Sequence, residues 1–186
     1  MELLGISGSL RRGSYNALLL RAAGELLPAG VELVVWDGLK DVPPYDEDDD
    51  VEPAPPAVAA LRRAVAAADG MLVATPEYNH SLPGQLKNAL DWLSRPLATN
   101  AARNKPVAVV GASTGAFGAV WAQAELRKVL GALGARVVGG EFPCGRAPER
   151  FDAHGLVDPE LRARLAAHLD ELVAEMRASA PTAAAA

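Results

Sequence analysis

Residues 2–16, with the sequence ELLGISGSLRRGSYN, contain the features that decide the fold. A short apolar run, Leu3 to Ile6, leads into a Gly- and Ser-rich loop, and a segment with helical period begins at residue 15. An apolar strand followed by such a loop and a helix is typical of the first unit of a parallel α/β sheet. We therefore predict a first strand, a loop over residues 8–16 and a helix over residues 15–27.

The same alternation of short apolar runs and helical segments continues along the chain. The further strands are predicted at Val31 to Trp36, Met71 to Ala74, Pro106 to Gly111 and Arg136 to Val138, and the further helices at 57–68, 83–94, 117–133 and 159–177. Each strand reads as apolar on both sides, which is typical of a sheet covered on both faces. Five βα units therefore predict an α/β fold, a doubly wound parallel sheet with helices on both faces.

The size and composition of the chain indicate one globular domain. It has 186 residues, of which 50% are hydrophobic and 22% are charged. We predict a single domain over residues 1–178 and a disordered Ala-rich tail over residues 179–186. Residues 41–56 are rich in proline and acidic side chains, which predicts a loop with a solvated acidic surface.

Charge and cysteine content exclude several classes of protein. The net charge of −5 argues against broad binding of nucleic acid or of anionic membranes, and no apolar stretch reaches the roughly 20 residues that cross a bilayer. The amino terminus carries the acidic Glu2 where a secretion signal has basic residues, so we expect no signal peptide there. The lone Cys144 cannot form an intrachain disulfide, which favours a reducing cytoplasm, and we expect it to be a small buried hydrophobe.

The loop over residues 8–16 has the composition of an anion site. It precedes a helix, whose first N–H groups and positive dipole end attract anions, while Ser9, Ser14 and Asn16 add neutral donors and Arg11 adds charge. An ordinary serine-capped turn would use the same residues. The loop matches neither the GxxxxGK[ST] motif of NTPases nor the GxGxxG motif of dinucleotide-binding dehydrogenases, so neither class is favoured.

Two further loops follow the third and fourth predicted strands. Residues 75–84, TPEYNHSLPG, offer the flat ring of Tyr78 and the amide of Asn79 to a heteroaromatic ring. Residues 111–119, GASTGAFGA, are small enough to let a ligand approach the backbone. Each loop alone also fits an ordinary turn. Because the three loops end neighbouring strands, they surround one crevice, and together they predict a flat, phosphorylated ligand.

These loops resemble those of a known family. The pattern GSLR-x-GS-x-N at residues 8–16, PEYN at 76–79 and LKNA-x-DW at 86–92 are similar to the NAD(P)H-dependent FMN reductases, a flavodoxin-like family that includes bacterial quinone, azo-dye and chromate reductases. The resemblance extends from residue 2 to about residue 177. It implies a flavodoxin-like five-stranded parallel sheet with the strand order 2-1-3-4-5.

The resemblance also implies which residues bind FMN. In the first loop they are Ser9, Leu10, Arg11, Ser14, Tyr15 and Asn16, of which Ser9, Arg11, Ser14 and Asn16 hold the phosphate. One side of the isoalloxazine ring would be wrapped by Pro76, Glu77, Tyr78 and Asn79. The pyrimidine edge of the ring would be approached by Ser113, Thr114 and Gly115. Ala119 stands where the family often has a second glycine after Gly118, which leaves the shape of this loop open.

The implied reaction passes two electrons from NADPH or NADH through FMN to a quinone or another small acceptor, such as an azo dye, chromate or free flavin. It requires no metal and no acid, base or nucleophile from the protein, because flavin N5 accepts the hydride. Two other classes stay open: a flavodoxin-type electron carrier, although residues 8–16 lack its Thr-rich phosphate loop, and a non-catalytic flavin-binding sensor. The preference for NADH or NADPH also stays open, and Arg12 is one candidate partner for a 2′-phosphate.

The histidines show no spacing typical of a metal site. His168 falls on the apolar stripe of the last predicted helix, and His80 lies beside the expected ring site. We expect His80 to be a capped or solvent-facing side chain rather than a catalytic group.

Three aromatic residues fall outside the apolar stripes of their helices: Trp92, Phe117 and Trp121. Aromatic side chains in such places predict a subunit interface. The resemblance implies a homodimer or homotetramer, because these reductases commonly pair through the helices next to the flavin loops. The alternative is that the rings lie under a neighbouring loop such as residues 94–105.

Overall fold

The computed structural model of the chain describes residues 1–179, which form a parallel sheet between two layers of helices. The strands are β1 (Glu2–Ser7), β2 (Glu32–Trp36), β3 (Gly70–Thr75), β4 (Pro106–Ala112), β5 (Arg136–Val137), β6 (Pro143–Cys144), β7 (Phe151–Asp152) and β8 (Gly155–Leu156). The helices are α1 (Tyr15–Leu26), α2 (Pro56–Ala67), α3 (Gly84–Leu93), α4 (Val120–Ala132), α5 (Ala147–Arg150) and α6 (Pro159–Ser179). Two short 3-10 turns lie between β2 and α2. The first, Gly38–Asp41, ends where the acidic loop of residues 41–56 begins, and the second, Glu47–Asp49, lies within that loop.

The strand order of the main sheet is β2-β1-β3-β4-β5, and all of these pairs are parallel. The predicted fold class and order are therefore confirmed. The fifth position of the sheet is built from two pieces, because β5 pairs with the start of β4 and β6 with its end. The chain reverses its direction of travel across the sheet between β1 and β3, which is where open α/β sheets form a ligand crevice.

Each face of the sheet packs on its own apolar core. Neighbouring residues of a strand point to opposite faces, so Leu4 lies in the core with α2, α3 and α4, whereas Leu3 lies in the core with α1 and α6. The stripes predicted from helical period are buried; they include Leu86, Leu90 and Leu93 on α3 and Leu165, Leu169 and Leu172 on α6. The prediction that helices cover both faces is thus confirmed.

The expectation that every strand is buried on both sides is wrong for β5, whose Arg136 is exposed, and for β2. This strand lies at the edge of the sheet, and its Val34 and Val35 are 38% and 51% exposed. Its β-branched residues gave it the same sequence pattern as the central strands. An edge strand has a neighbour on one side only, so its apolar side chains need not be covered.

Trp92 is not available to a subunit interface, so its prediction as an interface residue is wrong. Its side chain is fully buried, its Nε1–H donates to the carbonyl of Pro43 at 2.9 Å, and the ring of Tyr45 packs edge-on with centroids 4.9 Å apart. The covering segment is residues 43–45 rather than the suggested loop at 94–105. Asn88 strengthens this cover by accepting from the Tyr45 N–H at 2.7 Å.

Predicted helix ends agree with the structure where a capping residue is present. Asp158 Oδ1 accepts from the Leu161 N–H at 2.8 Å at the start of α6, and Gly134 adopts a φ of +87° just after α4. The start of α4 lies three residues later than predicted, because Gly118 and Ala119 both adopt positive φ before Val120. Ser179 is still helical, and the remainder of the predicted tail, residues 180–186, lies outside the described residues.

Cys144 is buried in the core beside α6, and this burial raises the pKa of its thiol to about 11. The prediction of a small buried hydrophobe is confirmed. Across residues 1–179, the structure contains no helix with the length and apolar character needed to cross a membrane.

Candidate functional site

A crevice lies at the carboxyl ends of β1, β3 and β4, and the three predicted loops form its walls. Its cavity measures about 280 Å³. Its lining includes most of the predicted site residues: Ser9, Arg11, Ser14, Tyr15, Asn16, Pro76, Glu77, Tyr78, Ser113 and Thr114, together with Ala112. Leu10, Asn79 and Gly115 do not line this cavity. The structure therefore brings the three loops together around one space, as the sequence predicts.

The first loop places the start of α1 at the floor of the crevice. The Gly8 N–H donates to the Ala74 carbonyl at 2.8 Å and extends the pairing of β1 with β3. A Cβ at position 8 would meet Leu86 Cδ2 at 2.8 Å, so a larger residue here would require the Leu86 side chain to shift. Ser14 caps α1, because its Oγ accepts from the Ala17 N–H at 3.2 Å. The Ser14 hydroxyl keeps its own hydrogen to donate to an anion.

Arg11 supplies the positive charge of this loop. Its guanidinium lies 5.6 Å from the centre of the Tyr15 ring, and in the described part of the chain it makes no ion pair. The first N–H groups of α1 have no acceptor within the helix. An exposed guanidinium beside a helix N-terminus and two serine hydroxyls is a suitable environment for a phosphate.

Asn16 has a structural role that the sequence did not indicate. Its side chain is buried, its Nδ2 donates to the Ala112 carbonyl at 3.0 Å, and its Oδ1 accepts from the Ala112 N–H at 2.9 Å. Asn16 thereby joins the first loop to the end of β4, where the third loop begins. One amide hydrogen is left for a ligand, so its predicted phosphate contact stays a prediction.

The second loop contains a tight turn at the rim of the crevice. The backbones of Tyr78 and Ser81 exchange two hydrogen bonds of 3.0 and 3.1 Å, and the residues between them, Asn79 and His80, have φ values of 54° and 60°. Positive φ is uncommon for residues other than glycine and is often found at functional sites. The turn leaves the Tyr78 side chain 53% exposed beside the cavity.

Glu77 connects the second loop to α4. Its Oε2 accepts from the backbone N–H groups of Trp121 at 3.0 Å and Ala122 at 3.1 Å, and its side chain is only 14% exposed. Ser81 adds a second link, because its Oγ donates to Glu125 Oε2 at 2.5 Å. Glu77 therefore serves as the N-terminal cap of α4. Ala119, the residue before this helix, has no side-chain acceptor and cannot cap it. The lack of a capping residue at position 119 is the feature of the sequence that indicates a cap from elsewhere in the chain.

The third loop is held against the segment 143–147. Three backbone hydrogen bonds join them: Ser113 N–H to Cys144 O at 3.0 Å, Arg146 N–H to Gly115 O at 2.8 Å, and Ala147 N–H to Ser113 O at 3.0 Å. Glycine permits this contact, because a side chain at Gly145 would lie 2.1 Å from the Ala116 carbonyl oxygen. The third loop is therefore tightly packed, and Ala119 itself adopts a φ of +61°.

An exposed aromatic cluster lies beside the crevice and consists of His80, Phe117 and Trp121. The Trp121 ring packs edge-on against His80 at 4.9 Å and Phe117 at 5.0 Å between centroids. Phe117 is 64% exposed and Trp121 is 43% exposed. Unlike Trp92, these two aromatic residues have the exposure that their sequence positions predict.

The histidines have the environments expected from the sequence. His80 is 77% exposed, and His168 is buried against Phe142 on the α6 side of the sheet. Burial lowers the pKa of His168, and the nearby Glu171 opposes this effect. Neither residue lines the crevice.

Comparison with known proteins gives matches over most of the chain. The family described as NADPH-dependent FMN reductase matches residues 1–149. An NAD(P)H-dependent FMN reductase of Pseudomonas aeruginosa is 42% identical over 174 residues, which cover 92% of this chain and 93% of the relative. A quinone reductase of Escherichia coli is 40% identical over 154 residues, covering 82% and 81% of the two chains.

The solved structure of FerB, a flavoenzyme NAD(P)H:(acceptor) oxidoreductase from Paracoccus denitrificans, superposes on this fold with a TM-score of 0.84. The two sequences are 31% identical, and the match covers 95% of this chain and 97% of FerB.

Proposed function

The chain belongs to the NADPH-dependent FMN reductase family, and on this premise we propose that the crevice binds FMN with its phosphate in the loop over residues 8–16. The observation that carries the proposal is the meeting of three loops around one cavity at the reversal point of the sheet. The flavin ring would lie between residues 76–79 and residues 113–115.

The residues of the first loop fit a terminal phosphate. Arg11 offers a guanidinium without an ion-pair partner among residues 1–179, Ser9 and Ser14 offer hydroxyl hydrogens, and the start of α1 offers free N–H groups. The loop provides no second set of such donors for another nucleotide, which favours FMN over FAD. We expect Arg11→Ala to weaken FMN binding by about ten- to a hundredfold, the effect of losing a charge-assisted contact. Unchanged affinity in Arg11→Ala, Ser9→Ala and Asn16→Ala alike would refute the phosphate assignment.

FMN held in this crevice would supply the redox chemistry, the transfer of two electrons from NAD(P)H to the acceptor. The protein's part is to hold the ring and to leave one face open. Tyr78 and Pro76 line the cavity and would border the ring, while the Glu77 carboxylate is already engaged at the start of α4. Glu77 therefore fixes the position of the second loop rather than moving a proton.

Quinone-type small molecules are the acceptor class supported by the relatives, one of which is described as a quinone reductase. Azo dyes, chromate and free flavin extend this proposal to acceptors that an open site above the ring would admit. The buried single cysteine suits a reducing compartment, so we place the protein in the cytoplasm within the same proposal.

A homodimer or homotetramer is also part of the proposal. Its support is Trp121, which is 43% exposed next to the crevice, since large aromatic side chains are enriched at the core of interfaces. Sedimentation velocity of the wild type and of Trp121→Ala tests it. We expect an oligomer that Trp121→Ala weakens, and a fully active monomeric wild type would refute the proposal.

Initial-rate kinetics test the proposed reaction. If NAD(P)H and the quinone use the same open face in turn, double-reciprocal plots at several quinone concentrations should give parallel lines. Intersecting lines would show that both substrates bind together and would contradict the shared face. A flavodoxin-type carrier or a sensor would instead show no NAD(P)H oxidation coupled to quinone reduction.

A further inference from the structure

A second cavity takes part of its wall from the third loop, which also borders the flavin crevice. It measures about 490 Å³ and lies between the start of α4 and the segment 143–150, with walls that include Phe117, Val120, Arg146 and Arg150. Ser113 and Thr114 border the crevice, whereas Ala116 and Phe117 border the second cavity. The third loop therefore contributes residues to the walls of both spaces, only two positions apart along the chain.

The two arginines of this cavity differ in their charge balance. Arg150 is paired with Asp158, and this contact together with the Leu161 N–H lowers the pKa of that carboxyl group. Arg146 is exposed, and among residues 1–179 its side chain makes no hydrogen bond or ion pair. Arg146 therefore brings an uncompensated positive charge to the cavity wall.

The backbone holds Arg146 firmly at this position. Its N–H donates to the Gly115 carbonyl at 2.8 Å, its carbonyl accepts from the Glu149 N–H at 2.9 Å, and its φ is +51°. A left-handed backbone is unfavourable for a side chain such as arginine, and such strain persists where the surroundings enforce it. The backbone of Arg146 is thus fixed to the same loop that borders the crevice, and its side chain starts from that fixed point.

The chemistry of the cavity matches one part of a dinucleotide. Phe117 and Val120 form an apolar wall that suits an adenine ring, and a free guanidinium is the side chain best suited to a phosphate group. NADPH and NADH differ only by the 2′-phosphate on the adenosine. Arg12, the other candidate from the sequence, lines neither cavity.

We propose that Arg146 binds the 2′-phosphate of NADPH while the nicotinamide reaches the crevice, which makes Arg146 the residue that selects NADPH over NADH. This inference rests on the proposed function. In this inference the adenosine half of NADPH occupies the second cavity, and FMN occupies the crevice as proposed above.

Steady-state kinetics of Arg146→Ala with each nucleotide test the inference. We expect kcat/KM for NADPH to fall by about ten- to a hundredfold, the range for losing a charge-assisted contact, and kcat/KM for NADH to stay within about twofold. Arg63→Ala is the matched control, because Arg63 is an exposed arginine of α2 outside both cavities, and both nucleotides should be unaffected. Equal losses for NADPH and NADH, or no loss for either, would overturn the inference.

A binding measurement without turnover separates this inference from the proposed function. Calorimetric titration of the FMN-loaded wild type should show tighter binding of adenosine 2′,5′-bisphosphate than of adenosine 5′-monophosphate, and Arg146→Ala should remove the difference. Failure to discriminate in the wild type, or unchanged discrimination in Arg146→Ala, would overturn the assignment of Arg146. A wild type that discriminates but oxidises neither nucleotide would refute the proposed function and leave the Arg146 site supported.

Discussion

Replacing Glu77 should loosen the flavin site and lower the free energy of unfolding. The Glu77 carboxylate accepts two backbone hydrogen bonds at the start of α4, at 3.0 and 3.1 Å, and it connects the second loop with that helix. In Glu77→Ala both N–H groups lose their acceptor, and no side chain before Val120 replaces it, because Ala119 has no side-chain acceptor. The second loop would then be held to α4 mainly by Ser81 and Glu125.

The magnitude follows from two known effects. Loss of an N-terminal cap costs about 0.5–2 kcal/mol, and loss of a negative charge from a helix N-terminus costs about 0.3–1 kcal/mol. Because the Glu77 side chain is only 14% exposed, we place the sum near the middle of this range, at about 2 kcal/mol. For a domain of this size, that corresponds to a decrease in Tm of about 4–8 °C.

The same change should weaken FMN binding. If FMN binds only when the second loop is docked on α4, affinity falls by up to about 30-fold, the ratio that corresponds to about 2 kcal/mol. Glu77→Gln keeps an acceptor oxygen but loses the charge, so its effects should be about half as large in free energy.

Thermal unfolding of the protein without FMN and fluorescence titration with FMN measure both effects. Glu47→Ala is the control, because Glu47 is an exposed glutamate whose side chain makes no hydrogen bond among the residues described. A Glu77→Ala variant with unchanged Tm and unchanged FMN affinity would refute the capping role. Equal effects in Glu77→Ala and Glu47→Ala would show that loss of a surface charge alone accounts for the changes in Tm and FMN affinity, and would also refute the capping role.

Three further predictions follow from packing and burial. Gly145→Ala should destabilise the fold by about 1–3 kcal/mol and weaken FMN binding, because its Cβ would lie 2.1 Å from Ala116 O. Gly140→Ala is the control, because a Cβ there would have no atom within 4 Å. Equal denaturation midpoints for the two variants would contradict the close approach at Gly145. Trp92→Phe should lower the free energy of unfolding by about 1–3 kcal/mol, because the hydrogen bond from Trp92 to Pro43 O is lost. Its sedimentation coefficient should stay as in the wild type. Dissociation of an oligomer in this variant would contradict the burial of Trp92. Burial lowers the pKa of His168 below the unfolded value of about 6.5, so the unfolded chain binds the proton more readily and stability should fall as pH decreases through about 6.5. Urea denaturation at several pH values should show a weaker pH dependence in His168→Leu, and an identical dependence would contradict this assignment.

The sequence predicted those parts of the fold that depend on local signals. The period of Leu86, Leu90 and Leu93 identified the buried face of α3, and Asp158 marked the start of α6. Such signals lie within one or two helical turns of the residues they affect. The pattern could not separate the edge strand β2 from the central strands, because exposure of an edge depends on which strands pair.

The sequence also placed the three loops around one crevice. It did not indicate the hydrogen bonds that hold the first and second loops in place, nor the one that covers Trp92. Asn16 bonds to Ala112, Glu77 bonds to the start of α4, and Trp92 bonds to Pro43. Each of these contacts joins residues that are distant in sequence, so neither period nor spacing reveals it. The sequence therefore did not indicate the structural roles of Asn16 and Glu77, whose ligand contacts stay predictions, and it wrongly indicated an interface role for Trp92.

Anaerobic spectroscopy of the purified FMN-loaded protein tests the central claim most directly. Addition of NADPH or NADH should bleach the visible absorbance of the flavin, and a subsequent addition of a quinone should restore it, because the proposed reaction consists of two separate half-reactions. A flavin spectrum that neither nucleotide changes, or a bleached flavin that a quinone does not reoxidise, would contradict the assignment of this crevice to NAD(P)H-dependent quinone reduction.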